Sequence, residues 1–439
     1  MLLIKGANVV MPDGTITALD VEVTHDRISS IGVDLPTNEN YTLINGTGLY
    51  LMAGVIDPQV HFREPGLEHK EDLRTASHAC AKGGVTSFLE MPNTRPTTTT
   101  QANLDDKLHR AKEKSVVNYG FFVGANGHNN QFLQTARPTC GVKVFMGAMH
   151  GELLIDRAEI LETIFGEVPR LIAVHAEDQD RIAQRKQEFL ASTSPITPHL
   201  HSLIQDETCA LLATQKAVQL SQKYHRRLHI LHLSTAMEVE FLRQHKTPLI
   251  TCEVTPQHLF LDTTAYNTLG TLVQMNPPIR SRPNCDSLWA GLRDGTIDLI
   301  ATDHAPHTLT EKAQPYPHSP SGMPGVETSL ALMLTAAVQG KCTIPQVSNW
   351  MSQQPARAYG IKERGTITQG FYADLILVDL QTWQKVTRNS LLTKCGWSPF
   401  EGWHLTGWVH TTIVNGKIVY ADGRVLADGG GMALEFLGA

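Results

Sequence analysis

Hydrophobic and polar positions divide the chain into three parts. In residues 1–50 apolar and polar positions alternate, and turn sequences such as MPDG and NGTG separate the alternating segments. This pattern is typical of short antiparallel strands. The same alternation returns at 373–380 and 408–426. The two β-rich ends therefore predict one small β-sandwich domain, formed by residues 1–52 and 363–439.

The central part has a different pattern, in which short β-branched apolar runs are separated by segments with the spacing of amphipathic helices. Eight such runs occur: LMAGVIDPQVHF (51–62), VTSFLEM (85–91), VNYGFFVGA (117–125), CGVKVFMGA (140–148), RLIAVHAED (170–178), RLHILHLST (227–235), LITCEVTP (249–256) and IDLIATDHAPH (297–307). Strands that are apolar throughout are buried on both faces, as in parallel sheets. Eight alternations predict an α/β fold, a (β/α)8 TIM barrel over residues 53–362. The alternative is an open, doubly wound sheet.

Composition and charge restrict the class of protein. The 439 residues are 41% hydrophobic and 18% charged, which is typical of a folded enzyme. The net charge of -6 is spread without long basic or acidic runs, so neither nucleic acid nor an anionic membrane is indicated as a partner. A small-molecule substrate is predicted.

Cysteines and apolar runs indicate the compartment. The seven cysteines are odd in number, far apart and free of any C-x-x-C pair, so we interpret them as reduced and mostly structural. The N-terminal MLLIKGANVVMPDG lacks the unbroken apolar core of a signal peptide, and no apolar run approaches 18 residues. We expect a cytoplasmic protein.

Polar side chains stand at or near the ends of most apolar runs. They are His61 and Arg63 after the first, Asn93 after the second, Lys143 in the fourth, His175 in the fifth, His232 in the sixth, and Asp303, His304 and His307 in the eighth. In a barrel the carboxyl ends of all strands meet at one mouth, where active sites form. One buried histidine would be an ordinary core residue. Three histidines, an aspartate and a lysine at one mouth suit zinc or a similar divalent ion.

Lys143 needs a separate explanation, because an ammonium group has no lone pair for a metal. A lysine whose pKa is depressed by burial can react with carbon dioxide. The resulting carbamate is an anionic group with two oxygens that could bridge two metal ions. The alternative is a lysine paired with a buried carboxylate.

The segment GVIDPQVHFREPG (54–66) resembles the metal-binding first strand of dihydroorotases, within the amidohydrolase superfamily. Further segments resemble the same family in the same order: GGVTSFLEMPNTRP (83–96), GVKVFMGAM (141–149), VHAED (174–178), HILHLST (229–235), ATDHAPH (301–307), GMPGVETSL (322–330) and GWVHTTIVNGKIVY (407–420). The resemblance covers essentially the whole chain.

This resemblance implies a metal site and a reaction. His61, Asp303 and carbamylated Lys143 would bind the more buried ion, and His175, His232 and the same carbamate would bind a second ion. One or two Zn²⁺ per subunit are implied, with a bridging hydroxide as nucleophile and Asp303 as the catalytic general acid and base. The implied activity is that of a dihydroorotase, the reversible cyclisation of N-carbamoyl-L-aspartate to L-dihydroorotate plus water in pyrimidine biosynthesis.

The substrate carboxylate needs a cationic partner, and Arg63 is the best candidate. A guanidinium can hold a carboxylate with two parallel hydrogen bonds. Two residues after His61, it is expected on the same face of the strand end. The alternative is a surface salt bridge. The resemblance adds further substrate contacts, namely Asn93 and His307 at the carboxylate, with Asn276 and the backbone of Pro324 and Gly325 near the ring amides.

Two positions depart from the family pattern. Gln59 stands where the family has the first histidine of an H-x-H pair, and an amide is a poorer zinc ligand than imidazole. Gln59 is therefore a weak ligand or a hydrogen-bond donor behind the ligands, and the buried metal is expected to bind more weakly. Gln257, in EVTPQHL, replaces part of an expected histidine pair, at a position that is not a metal ligand in the family.

Three functions remain open from the sequence. We prefer an active dihydroorotase, because Lys143, His175, His232 and Asp303 are all present. The second is an inert dihydroorotase-like subunit that serves as a structural partner of aspartate carbamoyltransferase. The third is a hydantoinase or allantoinase, against which Arg63 argues. A homodimer is the family expectation.

Overall fold

The computed structural model describes residues 1–192 and 195–437. Its strands are β1 (Leu2–Val10), β2 (Ile16–Thr24), β3 (Arg27–Gly32), β4 (Thr42–Asn45), β5 (Tyr50–Ala53), β6 (Val55–Val60), β7 (Val85–Glu90), β8 (Asn118–Phe121), β9 (Val123–Gly124), β10 (Val142–Phe145), β11 (Ile172–His175), β12 (Leu228–Ile230), β13 (Ile250–Val254), β14 (Leu299–Ile300), β15 (Leu375–Asp379), β16 (Gln384–Lys385), β17 (His404–Leu405), β18 (Trp408–Val414), β19 (Lys417–Ala421) and β20 (Arg424–Val425). The α-helices are α1 (Leu73–Gly83), α2 (Gln101–Lys114), α3 (Asn130–Thr135), α4 (Ala158–Glu167), α5 (Gln179–Ser192), α6 (Leu200–Ile204), α7 (Glu207–Tyr224), α8 (Ala236–His245), α9 (Pro256–Phe260), α10 (Tyr266–Leu269), α11 (Arg282–Asp294), α12 (Leu309–Lys312), α13 (Ser329–Val338), α14 (Ile344–Ser348) and α15 (Gln354–Tyr359).

The central strands close into a parallel barrel. One sheet has the order β6-β7-β8, and the other runs β14-β13-β12-β11-β10-β9. Only Phe122 separates β8 from β9, so the third apolar run serves both sheets. A parallel bridge between Val60 and His304 joins the first strand to the end of the last. The predicted barrel is confirmed, and the open doubly wound sheet is wrong.

The strands of both chain ends form the predicted small β domain. They join in a nine-stranded sheet ordered β20-β19-β18-β15-β5-β1-β2-β3, with β4 also paired to β1. The edge strand β3 turns back toward the C-terminal segment through an antiparallel bridge between Arg27 and Tyr372. Apolar side chains from both ends, such as Val23 and Leu375, share one core. The proposed domain limits, 52/53 and 362/363, stay a prediction.

Side-chain caps fix the first residue of two helices that follow barrel strands. Asp72 caps α1 in a reciprocal capping box with Thr75. Thr235 and Glu238 form another at the start of α8. Such a box satisfies two free backbone N–H groups at a helix start. Two loops are therefore fixed at both ends, by a barrel strand and by a capped helix. Arg63 lies in the loop between β6 and α1, and His232 lies in the loop between β12 and α8.

Two other expectations can be compared with the structure. All seven cysteines are described, buried and free of disulfide bonds, which agrees with their interpretation as structural thiols. Within residues 1–192 and 195–437, none of the helices has the length and apolar character needed to cross a membrane.

Candidate active site

A cavity of about 230 Å³ lies at the carboxyl ends of the barrel strands. The side chains that line it include ten of the twelve site residues predicted from the sequence: Gln59, His61, Arg63, Asn93, Lys143, His175, His232, Asn276, Asp303 and His307. Pro324 and Gly325 lie outside the lining. The structure thus brings together residues that are spread along most of the sequence of the barrel, from Gln59 to His307.

His61 and Asp303 meet on one side of the cavity. His61 Nε2 is 3.1 Å from Asp303 Oδ1, and His61 Nδ1 is 2.7 Å from Asn93 Oδ1. The Asn93 oxygen can only accept, so the proton of a neutral His61 is on Nδ1. The Nε2 lone pair then faces a carboxylate oxygen, which requires a shared proton or a cation. Burial lowers the pKa of His61, which opposes the shared proton.

Gln59 contacts the same carboxylate. Its Nε2 donates to Asp303 Oδ1 at 3.1 Å, and the side chain is 1% exposed. Gln59 Oε1 is buried and has no hydrogen-bond partner among the described residues. This oxygen is the only ligand-type atom that Gln59 could offer, because the amide nitrogen has no lone pair for a metal.

Replacing Gln59 with histidine is expected to strengthen metal retention, because it adds an imidazole next to His61 and Asp303. We expect the Gln59→His variant to keep zinc through dialysis against roughly tenfold more chelator than the parent protein. Gln59→Leu is the matched control and should retain no more zinc than the parent. Equal retention in Gln59→His and Gln59→Leu would place position 59 outside the ligands.

His175 and His232 meet on the other side of the cavity. His175 Nδ1 is 3.0 Å from His232 Nε2, and His175 Nε2 is 2.8 Å from Glu177 Oε2. The Glu177 carboxylate favours a proton on His175 Nε2, which leaves the Nδ1 lone pair directed at His232. Burial holds the pKa of His232 well below its ordinary value, so its ring is neutral. Two imidazole rings thus face each other, as metal ligands do.

Lys143 lies between the two pairs on β10 and is 1% exposed. Its Nζ is 4.5 Å from the centre of the Phe145 ring. In the part of the chain that the structure describes, no hydrogen bond or salt bridge engages this nitrogen, although the carboxylates of Asp303 and Glu253 act on it electrostatically. The alternative of a carboxylate partner stays a prediction. Burial lowers the pKa of Lys143 to about 7. A neutral amine is therefore well populated at physiological pH, as carbamate formation requires.

Arg63 reaches the cavity from a loop rather than from the strand. Strand β6 ends at Val60, and Arg63 has a left-handed backbone with φ of 68°. Strand alternation is therefore not the reason for its position. His232 and Asp303 also have positive φ, at 36° and 46°. Such backbone conformations are rare outside glycine and concentrate at functional sites.

The Arg63 guanidinium is buried, and no carboxylate of residues 1–192 and 195–437 forms a salt bridge with it. The residue is 7% exposed, and its Nε donates to the Pro306 carbonyl at 3.1 Å. Its Nη2 is 3.2 Å from His307 Nε2. Within the described residues Arg63 forms no ion pair, so the predicted alternative of a surface salt bridge is wrong. Burial lowers the pKa of Arg63 to about 10, which leaves it charged at neutral pH.

The last predicted contacts lie in two loops. Asn276 Nδ2 is 3.4 Å from the Ala148 carbonyl, and its Oδ1 is 2.9 Å from His201 Nε2. The Gly325 N–H donates to His304 Nδ1 at 3.0 Å, which turns it toward the barrel wall. Ser321 and Gly322, from the same loop, line the cavity instead.

Two carboxylates near the site, Glu177 and Glu253, were not predicted from the sequence. Glu177 orients His175, and its only signal was its place two residues later in VHAED. Glu253 is fully buried at the end of β13, 2.9 Å from His229, and burial holds its pKa well above the ordinary value. Gln257, noted in the sequence as a departure from the family pattern, donates to the Thr302 carbonyl at 2.8 Å and does not line the cavity.

The donor set fits a divalent ion of the zinc class only if Lys143 or Gln59 contributes. Among residues 1–192 and 195–437, no group of three or more His, Cys, Asp or Glu side chains is arranged to hold a metal. The two facing pairs each supply two ligand atoms. A carbamate on Lys143 would supply oxygens to both, which completes a mixed nitrogen and oxygen set.

The fold and the site define a class: barrel enzymes whose imidazole and carboxylate groups converge at one mouth. The Amidohydrolase family profile matches residues 50–419. The dihydroorotase of Methanosarcina mazei is 34% identical over 94% of this chain and 92% of its own length. That of Halobacterium salinarum is 35% identical over 95% and 96% of the two chains, respectively. The chain belongs to the amidohydrolase family, and its predicted resemblance to the dihydroorotases is confirmed.

Solved structures agree on the architecture. The L-hydantoinase (dihydropyrimidinase) of Arthrobacter aurescens has a TM-score of 0.94 and 28% identity, and the alignment covers 99% of both chains. The D-hydantoinase (dihydropyrimidinase) of Thermus sp. has a TM-score of 0.91 and 24% identity over 99% of this chain and 98% of its own.

Proposed function

We propose that this protein is a dihydroorotase, which interconverts N-carbamoyl-L-aspartate and L-dihydroorotate. The observation that carries the proposal is the buried, charged Arg63, which has no salt-bridge partner among the residues that the structure describes. A buried charge is costly unless it is paired, so this cation favours an anionic ligand in the cavity. Dihydroorotate carries such a carboxylate next to its cyclic amide. The similarity to dihydroorotases along most of the chain supports the same substrate.

Dihydroorotases of this family are metal-dependent. We propose zinc, held by His61 and Asp303 on one side, by His175 and His232 on the other, and by a carbamate on Lys143 between them. When bound, such an ion supplies Lewis acidity that activates water and polarises the amide carbonyl. Gln59 would hold the Asp303 carboxylate in place through its amide N–H.

The protein side chains would divide the remaining work. Arg63 and His307 would bind the substrate carboxylate, with Asn93 beside them. Asn276 would contact the ring amides from across the cavity. Asp303 would accept a proton from the attacking water and deliver it to the leaving amide nitrogen, because its carboxylate lines the cavity and lies 3.1 Å from His61. In the direction of ring closure the same proton moves the opposite way.

The test is an assay in both directions with N-carbamoyl-L-aspartate and L-dihydroorotate, together with metal analysis of the purified protein. We expect turnover in both directions and a stoichiometric divalent metal. Metal-containing protein that converts neither compound would contradict the proposal.

A second candidate is a hydantoinase, which the TM-score of 0.94 to the Arthrobacter aurescens protein favours. Hydantoin and dihydrouracil lack the carboxylate that Arg63 would bind. Faster turnover of these neutral rings than of dihydroorotate would support this candidate instead.

We also propose a homodimer, with association to an aspartate carbamoyltransferase as the alternative assembly. An inert partner subunit would hold little metal and show no turnover alone. Sedimentation of the purified protein, with and without an added carbamoyltransferase, distinguishes these assemblies.

Carbamylation of Lys143 should make metal uptake depend on carbon dioxide. Because its folded pKa is about 7, the reactive amine predominates above that pH and is lost as the pH falls below it. We expect apo-protein to take up zinc faster in bicarbonate buffer than in buffer freed of carbon dioxide, and more slowly at pH 6 than at pH 8. Lys143→Met should abolish the bicarbonate effect. Equal uptake in both buffers would contradict the carbamate.

A further inference from the structure

Lys70 lies outside the cavity lining but contacts His307, which is part of that lining. Its side chain is 12% exposed, and its Nζ is 3.0 Å from His307 Nδ1 and 3.0 Å from Glu311 Oε1. On the other side of the ring, His307 Nε2 is 3.1 Å from the Ser321 carbonyl oxygen. The same nitrogen is 3.2 Å from Arg63 Nη2. His307 is therefore contacted by two cations and one carbonyl group, and the Glu311 carboxylate lies farther away, with Oε2 3.9 Å from His307 Nδ1.

These contacts select one tautomer of His307. A neutral imidazole has one donor and one acceptor nitrogen, whereas ammonium and guanidinium groups only donate and a carbonyl only accepts. With the proton on Nε2, the ring accepts from Lys70 and donates to Ser321. With the proton on Nδ1, that N–H would point at the Lys70 ammonium and the Nε2 lone pair would point at the Ser321 carbonyl. Only the Arg63 contact and the 3.9 Å approach of Glu311, which is too long for a hydrogen bond, would favour this tautomer. Burial, Arg63 and Lys70 hold the pKa of His307 well below its ordinary value, so the ring stays neutral.

The selected tautomer also leaves the Nη2 group of Arg63 without a hydrogen bond to His307. A protonated Nε2 cannot accept from the guanidinium, so Arg63 Nη2 is not consumed by its neighbour. We propose that Lys70 is a positioning residue that fixes His307 as an Nε2–H donor beside Arg63, and that this N–H, which donates to the Ser321 carbonyl here, turns to the substrate carboxylate that Arg63 binds. This inference rests on the proposed function and adds to it a residue that the sequence pattern did not indicate.

The direct test is ¹⁵N NMR of the full-length protein labelled at histidine, with the His307→Gln variant used to assign the signals. In the parent protein we expect His307 with a proton on Nε2 and none on Nδ1. In Lys70→Met we expect a mixture of tautomers or the reverse one. The KM for N-carbamoyl-L-aspartate should rise roughly tenfold, as loss of one charge-assisted contact implies, with kcat changed by less than about twofold.

Two further variants separate positioning from a general structural effect. Lys70→Arg retains a donor at Nδ1 and should restore the tautomer and most of the KM. Glu311→Gln removes the carboxylate that pairs with Lys70 and lies 3.9 Å from His307 Nδ1, but it keeps the ammonium, so His307 should retain its proton on Nε2.

The inference is overturned if parent His307 carries its proton on Nδ1, or if Lys70→Met changes neither tautomer nor KM in an active enzyme. Failure of the parent protein to convert N-carbamoyl-L-aspartate would instead contradict the proposed function, while the NMR result would still report the tautomer. If Lys70→Met does not fold, the parent and Lys70→Arg spectra decide the question.

Discussion

Replacing Asp303 with asparagine is expected to lower turnover by about 10²- to 10⁴-fold, the usual contribution of a general acid-base residue. Asparagine has nearly the same shape, and its oxygen can still accept the hydrogen bond that Gln59 donates at 3.1 Å. What asparagine cannot do is take up and release a proton in the cavity that Asp303 lines. The measurement is kcat in both directions, with metal content determined on the same sample.

A matched control lies on the same segment of chain. Asp298 stands just before β14, at the opposite end of the barrel, where it pairs with Lys246 at 2.7 Å. Asp298→Asn removes a carboxylate just before β14, whereas Asp303 follows that strand, and Asp298 does not line the cavity. The kcat of the Asp298→Asn variant should therefore stay near that of the parent protein. Parent-like turnover in Asp303→Asn with full metal content would remove Asp303 from proton transfer.

Replacing Arg63 with methionine should raise the KM for N-carbamoyl-L-aspartate roughly a hundredfold, which corresponds to about 2–3 kcal/mol of lost charge-assisted binding. Because Arg63 forms no ion pair within the described chain, its removal leaves no carboxylate without a partner. The fold should therefore tolerate the change. The expected loss is in KM more than in kcat, since the substrate carboxylate is present in both ground and transition states.

Neutral substrates supply the control for this variant. Any residual hydrolysis of dihydrouracil, which has no carboxylate, should be equal in Arg63→Met and the parent. Arg63→Lys should recover part of the affinity, because an ammonium keeps the charge but cannot form the two parallel hydrogen bonds. An unchanged KM for N-carbamoyl-L-aspartate in Arg63→Met would contradict the proposed carboxylate contact.

The barrel could be predicted from the sequence because a strand that is buried on both faces is apolar throughout. Each such strand can therefore be recognised from its own residues, without knowledge of distant contacts. All eight apolar runs contain barrel strands. Convergence of His61, His175 and Asp303 followed from one rule, that parallel strands present their carboxyl ends at one mouth.

Loop positions were harder to predict because contacts distant in sequence determine them. Gly322, with φ of +136°, packs so closely that a Cβ atom there would lie 2.4 Å from the Ala305 carbonyl oxygen. This packing brings Gly322 to the cavity wall and leaves Gly325 behind it. Likewise, the contact between Lys70 and His307 spans 237 residues, and no spacing in either segment indicates it.

The bridge between Val60 and His304 also has a consequence for folding. It lies at the point where the first and last strands of the barrel meet, and the adjacent contact of His61 with Asp303 joins residues 242 positions apart. Ligand atoms on that side therefore come together only after the final strand has docked. An ion bound there would stabilise the complete barrel over every partly assembled form, in proportion to the logarithm of its concentration. Zinc-dependent protection of β6 and β14 from hydrogen exchange would report this coupling between barrel closure and metal affinity.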